Sequence, residues 1–416
     1  MAAAVGGLLV FAGIVKIGKD STPTASGTVT LWGTLQSAKI NSLLDSFNQA
    51  NQSLVVKYVE KNPESFNQDL LEALASGVGP DLFFLPDNLA LSYANKIYPV
   101  SYQSFPAISF KNTFAGAGEV FLTAKRMLAF PMVIDPLVLY YNRSILDANN
   151  IVSPPVFWDD FVKLIPTLTK KDDTNKILQS ATALGHFSNI RHAKDILAGL
   201  FMQTGDNIIA ENNGSFYSVL GNSLNSGASG VLKFYTDFAD PAKNVYAWNK
   251  SFSNSTDAFS NGNLAFYFGY ASELNSLINK NPNQNFLVSS FPQIKNAKFK
   301  LTAGQVTGLA ISAFSKNFNT AFTVASLMAT GDFASKLSNA IAIPPARRDL
   351  LSVKLTDSFF PIFYSSALYA KSWLDPSPTD SNNIFRTMIE SVLSNDLNPE
   401  NAVKDASSKL NLLLLK

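Results

Sequence analysis

Two residues close to the first predicted strand have side chains that suit a ligand rich in hydroxyl groups. Trp32 ends an alternating stretch, residues 28–32, and Gln36 follows at the start of a predicted helix. An aromatic ring offers a flat apolar face to C–H groups, and an amide exchanges hydrogen bonds with hydroxyls. This pairing favours binding of a polyhydroxylated molecule, with Trp32 as an ordinary core residue being the alternative interpretation.

A second set of candidates lies in the middle of the chain. Trp248 falls in an Asn- and Ser-rich stretch, residues 245–255, where little secondary structure would support a buried ring. Asn189 follows Ser188 and carries an amide of the same kind as Gln36. We expect Trp248 to be an aromatic platform for the ligand, with a packing role as the alternative, and Asn189 to be a polar contact.

The residues that enzymes most often use for catalysis are scarce. The two histidines, His186 and His192, have neither the i,i+4 spacing nor the nearby carboxylates of a zinc site. Cysteine is absent, and there is no Gly-x-Ser-x-Gly, Walker loop or dinucleotide glycine fingerprint. We therefore expect neither an enzyme nor a metal or other cofactor. Two carboxylates converging for glycoside hydrolysis are the remaining enzymatic alternative.

Composition constrains the number of domains and the class of partner. The 416 residues exceed what one hydrophobic core normally supports, so two lobes are expected. The 33 basic and 31 acidic residues leave a formal charge of only +2, without a long run of one sign. Nucleic acid is therefore not an expected partner.

The start of the chain has the composition of a targeting segment. Residues 2–15 are almost uninterruptedly apolar, and a Ser/Thr/Pro/Gly-rich stretch follows. We assign residues 1–19 to a signal or membrane-anchor segment and 20–27 to a linker. The apolar run is shorter than the roughly 20 residues of a membrane span, and the basic region that precedes a signal peptide's apolar core is missing. We therefore suspect that residues upstream of Met1 are missing; a buried N-terminal helix is the alternative.

The elements that must position these residues alternate between strand and helix. Residues 28–32 and 54–59 alternate as strands do, and the apolar run 82–85 reads as a third strand. Helical periodicity lies between them, with apolar residues spaced i, i+3, i+4, i+7 from Ile40 to Phe47. The order βαβαβ predicts an α/β fold with a parallel sheet covered by helices.

Several short motifs recur along the chain in a characteristic order. They are LAFPMVIDPLVLYYNRSILDANNIVSPPVFWDDF at residues 128–161, DAFSNGNLAF at 257–266, FGY at 268–270, FP at 291–292, GQVTGLAIS at 304–312 and PPARRD at 344–349. The ordered set resembles the extracellular solute-binding proteins of sugar-importing ABC transporters, a family that includes maltose/maltodextrin-binding proteins. The resemblance extends from about residue 28 to residue 415.

The resemblance implies a two-lobe α/β fold of the type II periplasmic-binding-protein class, with a ligand cleft between the lobes. It also implies three crossings between lobes, expected near Asp135, Gln305 and Leu355. The N-terminal lobe would comprise residues 28–135 and 309–355, and the C-terminal lobe 136–304 and 356–416.

The same resemblance suggests further ligand contacts. Asp87 stands where family members often carry a sugar-binding carboxylate, with a helix cap as its alternative role. Asp135 would line the floor of the cleft or serve only in the hinge, and Tyr270 stands where the family often has a tryptophan platform. Gln305 joins this candidate set, and Arg347 would either reach the ligand or form a salt bridge between lobes.

The function that the resemblance implies is an extracytoplasmic receptor, tethered to the membrane by its N-terminal segment. It would bind a carbohydrate, expected to be an oligosaccharide, and deliver it to the permease subunits of an ABC importer. We expect a monomer. A sensor or adhesin on the same fold, and a receptor for a polyol phosphate or polyamine, are the alternatives; fold alone does not identify a ligand.

Overall fold

The computed structural model describes residues 25–222 and 227–415. The chain forms two compact units, which divide at Ile134/Asp135, Gly304/Gln305 and Val353/Lys354. The first unit holds the described residues up to Ile134 together with Gln305–Val353, and the second holds the rest. The expected signal or anchor segment, residues 1–19, lies outside the described residues, as does most of the expected linker.

The first unit contains an α/β sheet that begins as predicted. Strand β1, Gly27–Gly33, pairs in parallel with β2, Leu54–Glu60, and with β3, Leu82–Pro86. The later part of strand β13, Thr302–Ile311, runs antiparallel to β3, so the sheet is mixed rather than purely parallel. Short strands β4, Val100–Ser101, and β5, Arg126–Met127, form a separate antiparallel pair.

The helices of the first unit bury the apolar faces that their periodicity predicted. Helix α1, Ser37–Ala50, buries Ile40, Leu43, Leu44 and Phe47, which confirms the predicted face. The other helices of this unit are α2, Phe66–Ala75; α3, Ala107–Thr113; α10, Phe318–Met328; α11, Gly331–Ile341; and α12, Arg348–Leu351.

The second unit is built around the long strand β6, Ala129–Asn142, whose later half belongs to this unit. Strand β11, Leu264–Tyr270, and strand β12, Phe286–Ser290, both run antiparallel to β6. Strand β8, Ile177–Thr182, pairs in parallel with β11. The remaining strands are β7, Lys170–Lys171; β9, Ile209–Asn212; β10, Ser215–Ser218; and β14, Ala370–Lys371.

The helices of the second unit cover a core rich in aromatic rings. They are α4, Arg143–Ala148; α5, Trp158–Leu168; α6, Ala193–Gln203; α7, Ala228–Asp237; α8, Ser255–Ser260; α9, Leu274–Lys280; α13, Phe360–Leu368; α14, Pro378–Leu393; and α15, Pro399–Leu414. Trp158 packs in this core against Phe161, Phe268 and Phe291. Within the described residues, no helix combines the length and apolar character needed to cross a membrane.

Candidate functional site

A group of interacting polar side chains lies at the C-terminal end of strand β11. All seven residues of this strand are buried. A short 3-10 turn, Ala271–Glu273, follows the strand directly and places a carboxylate at its end. Ligand sites in α/β proteins commonly lie at such strand ends, because the loops there leave the sheet with side chains free to converge.

Glu273 is the centre of this group. Its buried carboxylate accepts a hydrogen bond from Arg191 Nε at 3.0 Å and one from the Tyr267 hydroxyl at 2.6 Å. His192 Nε2 contacts the same carboxylate oxygen as Arg191. Burial favours the neutral acid, but the hydrogen bonds and charges of these partners hold the pKa of Glu273 below its ordinary value. Glu273 is therefore an anion at neutral pH, fixed by partners 81 and 82 residues away in sequence.

His192 lies directly before helix α6 and has a left-handed backbone conformation, with φ of 63°. Its Nδ1 is 3.7 Å from a carboxylate oxygen of Asp195, so the imidazole lies between two carboxylates. Burial disfavours the imidazolium, but hydrogen bonds to Asp195 and Glu273 outweigh it and raise the pKa of His192 to about 9. The ring is therefore cationic at neutral pH.

Tyr270, the last residue of β11, lies beside the ion cluster that His192 forms with Glu273 and Asp195. Its ring meets the His192 ring edge to face, with centroids 4.7 Å apart and planes at 80°. The backbone carbonyl of Tyr270 accepts a hydrogen bond from the buried Tyr140 hydroxyl at 2.9 Å, which fixes the end of the strand. The phenol is nearly buried, at 3 % exposure.

Asp135 is the first residue of the second unit and reaches the same strand end. Its Oδ1 accepts a hydrogen bond from the backbone N–H of Ser272 at 3.0 Å. Desolvation raises the pKa of Asp135 to about 6, with a smaller upward contribution from the Glu273 charge and opposing ones from Ser272 and His192. The structure thus brings together Asp135 and Tyr270, two of the residues predicted from sequence.

A pocket of about 340 Å³ opens beside this cluster, between the start of α6 and helix α14. Phe187 and Ile190 contribute apolar walls. The polar lining consists of Ser188, His192, Lys194, Asp195, Asn382 and Arg386. The pocket thus combines an aromatic face with hydrogen-bond donors and acceptors, the combination that polyhydroxylated ligands require.

The structure places Trp248 and Asn189 differently from the prediction. Trp248 has no exposed surface; its ring stacks on Phe252 at 4.3 Å, and its indole N–H donates to Asn189 at 3.0 Å. The Asn189 amide in turn donates to the backbone carbonyls of Asn249 and Phe252. These hydrogen bonds support the buried ring within an irregular loop, so Trp248 presents no face to a ligand.

The predicted residues of the first unit lie at the C-terminal ends of β1 and β3. Trp32 is partly buried, and the Lys61 ammonium lies 3.7 Å from its ring centroid. Gln36 is exposed immediately before helix α1. Asp87 is buried, at 4 % exposure, and accepts the backbone N–H of Asn88 at 2.9 Å. Their roles as ligand contacts stay predictions.

Gln305 and Arg347 also belong to the first unit. Gln305 is exposed within strand β13. Arg347 donates to both carboxylate oxygens of Asp349, at 3.0 and 2.9 Å, and to the carbonyl of Ala329 at 3.1 Å. The salt bridge expected between lobes is instead an ion pair within one unit, because the carboxylate lies only two residues further along the chain.

The sequence prediction missed the polar side chains around the pocket, including His192, Glu273 and Arg386. His192 had been considered only as a metal ligand. The available signal was its position directly before the apolar periodicity of α6, where helix starts commonly carry polar groups. Among the described residues, no group of three or more His, Asp or Glu side chains is placed to hold a metal ion.

Comparison with known protein families gives one match that covers most of the chain. The model of the family described as "Bacterial extracellular solute-binding protein" matches residues 42–358. A search of curated protein sequences finds no significant match. The family resemblance inferred from the motifs is confirmed by the first result.

Several solved structures share the fold. A cyclo/maltodextrin-binding protein complexed with maltotetraose superposes with a TM-score of 0.74 at 17% identity, covering 94% of this chain and 98% of that one. The maltose-binding periplasmic protein of Listeria monocytogenes, in complex with maltose, gives 0.71 at 17% identity, covering 92% and 97%. A solute-binding protein from Thermotoga lettingae bound with α-D-tagatose gives 0.65 at 21% identity, covering 94% and 100%. The predicted periplasmic-binding-protein-like α/β fold is confirmed.

Proposed function

This chain belongs to the bacterial extracellular solute-binding protein family, and from that premise we propose that it is the carbohydrate receptor of an ABC importer. The observation that carries the proposal is the polar pocket beside the C-terminal end of β11, where Tyr270 and His192 lie next to each other. The family implies an extracytoplasmic location. Solved relatives of the same fold are bound to maltotetraose, maltose and tagatose, which supports a sugar as the ligand class.

The pocket offers a sugar two kinds of interaction. The Phe187 ring lines the pocket and Tyr270 lies beside it, so apolar C–H faces of a sugar have aromatic partners nearby. Asn382 and Asp195 supply an amide and a carboxylate for its hydroxyls. Because His192 and Glu273 already hold each other in place, the polar lining is preorganised and loses little side-chain freedom on binding.

We further propose that the first unit contributes Trp32, Gln36 and Asp87 to the same ligand, as in the interlobe cleft typical of the family. A sugar that contacts both units adds binding free energy only to the closed form, so it shifts the population toward closure. A 100-fold preference for the closed form corresponds to about 2.7 kcal/mol of differential binding. The closed receptor then delivers its ligand to permease subunits.

The attachment to the membrane is part of the same proposal. Residues 1–19 would hold the receptor at the outer face of the cytoplasmic membrane. The linker, expected at residues 20–27, would end at Ser26, because strand β1 begins at Gly27. Fractionation of cells that express the full chain tests this: the protein should sediment with membranes and be released when residues 1–19 are deleted. Recovery of the full chain in the soluble fraction would contradict the tether without affecting the receptor function.

The experiment that tests the receptor function is calorimetric titration of the purified full chain, in mild detergent, with a panel of mono- and oligosaccharides. At least one sugar should bind, and Tyr270→Ala should weaken its binding more than Tyr270→Phe, which keeps the ring. Failure of every sugar in the panel to bind the folded chain would contradict the proposal. Equal affinity of the unaltered chain and both variants would show that Tyr270 does not contact the sugar.

A further inference from the structure

Most charges that line the pocket of the second unit already have partners. The Lys194 ammonium is 2.7 Å from the buried carboxylate of Asp375 and 3.1 Å from the Ser381 hydroxyl. His192 is held by Glu273 and Asp195. These groups form a framework in which positive and negative charges neutralise each other locally.

Arg386 is different, because among the described residues no carboxylate lies within 4.0 Å of its guanidinium. Its guanidinium carbon lies 5.3 Å from the centroid of the Phe187 ring, a cation–π contact that holds the side chain against the pocket wall. Glu390 is one turn further along the same helix, but it forms no ion pair with Arg386. The guanidinium therefore keeps its N–H donors available at the pocket.

Helix α14 presents Arg386 together with a neutral hydrogen-bonding group. Asn382 precedes Arg386 by four residues, so both lie on one face of the helix, and both line the pocket. Phe385 and Met388, on other faces of the same helix, are buried in the core and fix the helix. The Arg386 side chain is thus presented by a rigid element and positioned by a ring contact, rather than extending from a loop.

We infer that the pocket recognises an anionic carbohydrate, whose carboxylate or phosphate pairs with Arg386. This inference rests on the proposed receptor function and narrows its substrate class. Guanidinium N–H groups form a fork that matches a carboxylate or phosphate in a bidentate way, which a neutral hydroxyl cannot exploit. A neutral sugar offers Arg386 only uncharged acceptors, so the stronger charge-assisted pair does not form.

The test is calorimetric titration of the full chain with three probes of similar size: digalacturonate, a disaccharide phosphate and the neutral disaccharide maltose. The anionic probe that fits should bind at least about tenfold more tightly than the neutral one, since hydrogen bonds to charged partners are the stronger class. Comparison of the two anionic probes distinguishes a uronate ligand from a sugar phosphate.

Three variants assign the effect to Arg386. Arg386→Gln should weaken binding of the anionic probe at least about tenfold, and should weaken it more than it weakens binding of the neutral probe. Arg386→Lys should retain part of the affinity, because the charge remains but the fork is lost. Lys300→Gln makes the same charge change at an exposed position of the second unit and should leave binding unaltered. Because Arg386 is exposed, thermal unfolding should show that its variants fold normally.

The possible failures are distinguishable. The inference is wrong, while the receptor function stands, if maltose binds at least as tightly as both anionic probes. The same holds if Arg386→Gln binds the anionic probe as tightly as the unaltered chain does. If none of these probes nor any other sugar binds the folded chain, both fail together. Loss of anionic binding in Lys300→Gln to the same extent as in Arg386→Gln would also overturn the inference, by showing a non-specific charge effect.

Discussion

The indole N–H of Trp248 donates a hydrogen bond to the side-chain oxygen of Asn189 at 3.0 Å. The Asn189 amide nitrogen in turn donates to the carbonyls of Asn249 and Phe252, at 3.0 and 3.2 Å. Asn189 thereby ties the irregular loop that carries Trp248 to the start of the segment leading into helix α6. The hydrogen bond between Trp248 and Asn189 therefore helps to stabilise the second unit.

Trp248→Ala should lower the free energy of unfolding by about 3–5 kcal/mol, because it empties the volume of a fully buried ring. Trp248→Phe keeps a ring on Phe252 and loses the hydrogen bond to Asn189, so it should cost less, about 1–3 kcal/mol. Urea denaturation of the full chain measures both. A Trp248→Ala protein of normal stability that has lost sugar binding would show instead that the ring contacts the ligand.

The ion cluster at His192 should make stability depend on pH in the alkaline range. The pKa of His192 is raised to about 9, above its ordinary value of 6.5, so the folded chain binds the additional proton. The stabilisation that this proton gives the folded chain is complete below pH 6.5 and is lost as the pH rises through 9. The free energy of unfolding should fall by at most about 3 kcal/mol over this range. Unfolding free energies of the unaltered chain should fall over this range, and His192→Gln should flatten the profile.

His186→Gln is the matched control for that profile. Burial lowers the pKa of His186 to about 4, so this imidazole is neutral in the folded chain throughout the alkaline range. Its substitution should leave the slope between pH 6.5 and 9 unchanged. Identical slopes in the unaltered chain and His192→Gln would show that His192 is not the titrating group.

The charge on Asp135 should lower the free energy of unfolding at neutral pH, and this effect should become smaller in acid. Desolvation raises the pKa of its carboxyl to about 6 from an ordinary 3.8, so the charged form is disfavoured in the folded chain. Asp135→Asn keeps an acceptor for the Ser272 N–H and removes the charge. The variant should be more stable than the unaltered chain by about 1–2 kcal/mol at pH 8, with the difference vanishing near pH 4.

Chemical denaturation at pH 4, 6 and 8 measures the Asp135 effect. Asp173→Asn, at an exposed turn, removes the same charge without the desolvated surroundings and should change stability little at any of these pH values. A stability difference between Asp135→Asn and the unaltered chain that does not vary with pH would contradict the assignment.

Any side chain at position 269 should destabilise the chain. A Cβ at this position would lie 2.5 Å from the Tyr267 ring and 2.7 Å from a carboxylate oxygen of Glu273. Gly269→Ala should therefore destabilise the chain by about 1–3 kcal/mol and disturb the ion cluster, lowering sugar affinity as well. Gly230→Ala, in helix α7 with nothing within 4 Å of its Cβ, should stabilise by up to about 1 kcal/mol. Thermal unfolding of both variants provides the comparison; equal midpoints would contradict the crowding at Gly269.

Local pattern predicted much of the scaffold because the forces that produce it act over short stretches of chain. The apolar face of helix α1 follows from the spacing of Ile40, Leu43, Leu44 and Phe47, and the structure buries all four. The mixed sheet was not predicted, since the antiparallel pairing of Gly308 with Leu85 joins segments more than 200 residues apart. No local spacing encodes which distant strand becomes the neighbour.

The candidate site was predicted only in part for the same reason. Tyr270 and Asp135 were predicted as site residues because each sits in a motif of the family, Tyr270 at the end of β11 and Asp135 within β6. Glu273 and Arg386 carry no local signature, since their roles depend on Arg191, His192 and Phe187, which are distant in sequence. Trp248 was misjudged because the hydrogen bond that allows its burial comes from Asn189, 59 residues earlier.

The sequence alone was thus sufficient to predict the α/β class and the family. Both predictions depend on residue type, ordered motifs and short-range periodicity. Tertiary structure decided which charged side chains at the pocket already have an ion-pair partner among the described residues. That distinction depends on distances between groups far apart in the chain. Lys194 pairs with the carboxylate of Asp375, whereas Arg386 contacts the Phe187 ring and, within the described part of the chain, no carboxylate. Electrostatic pairing and desolvation arise only when folding brings such groups together.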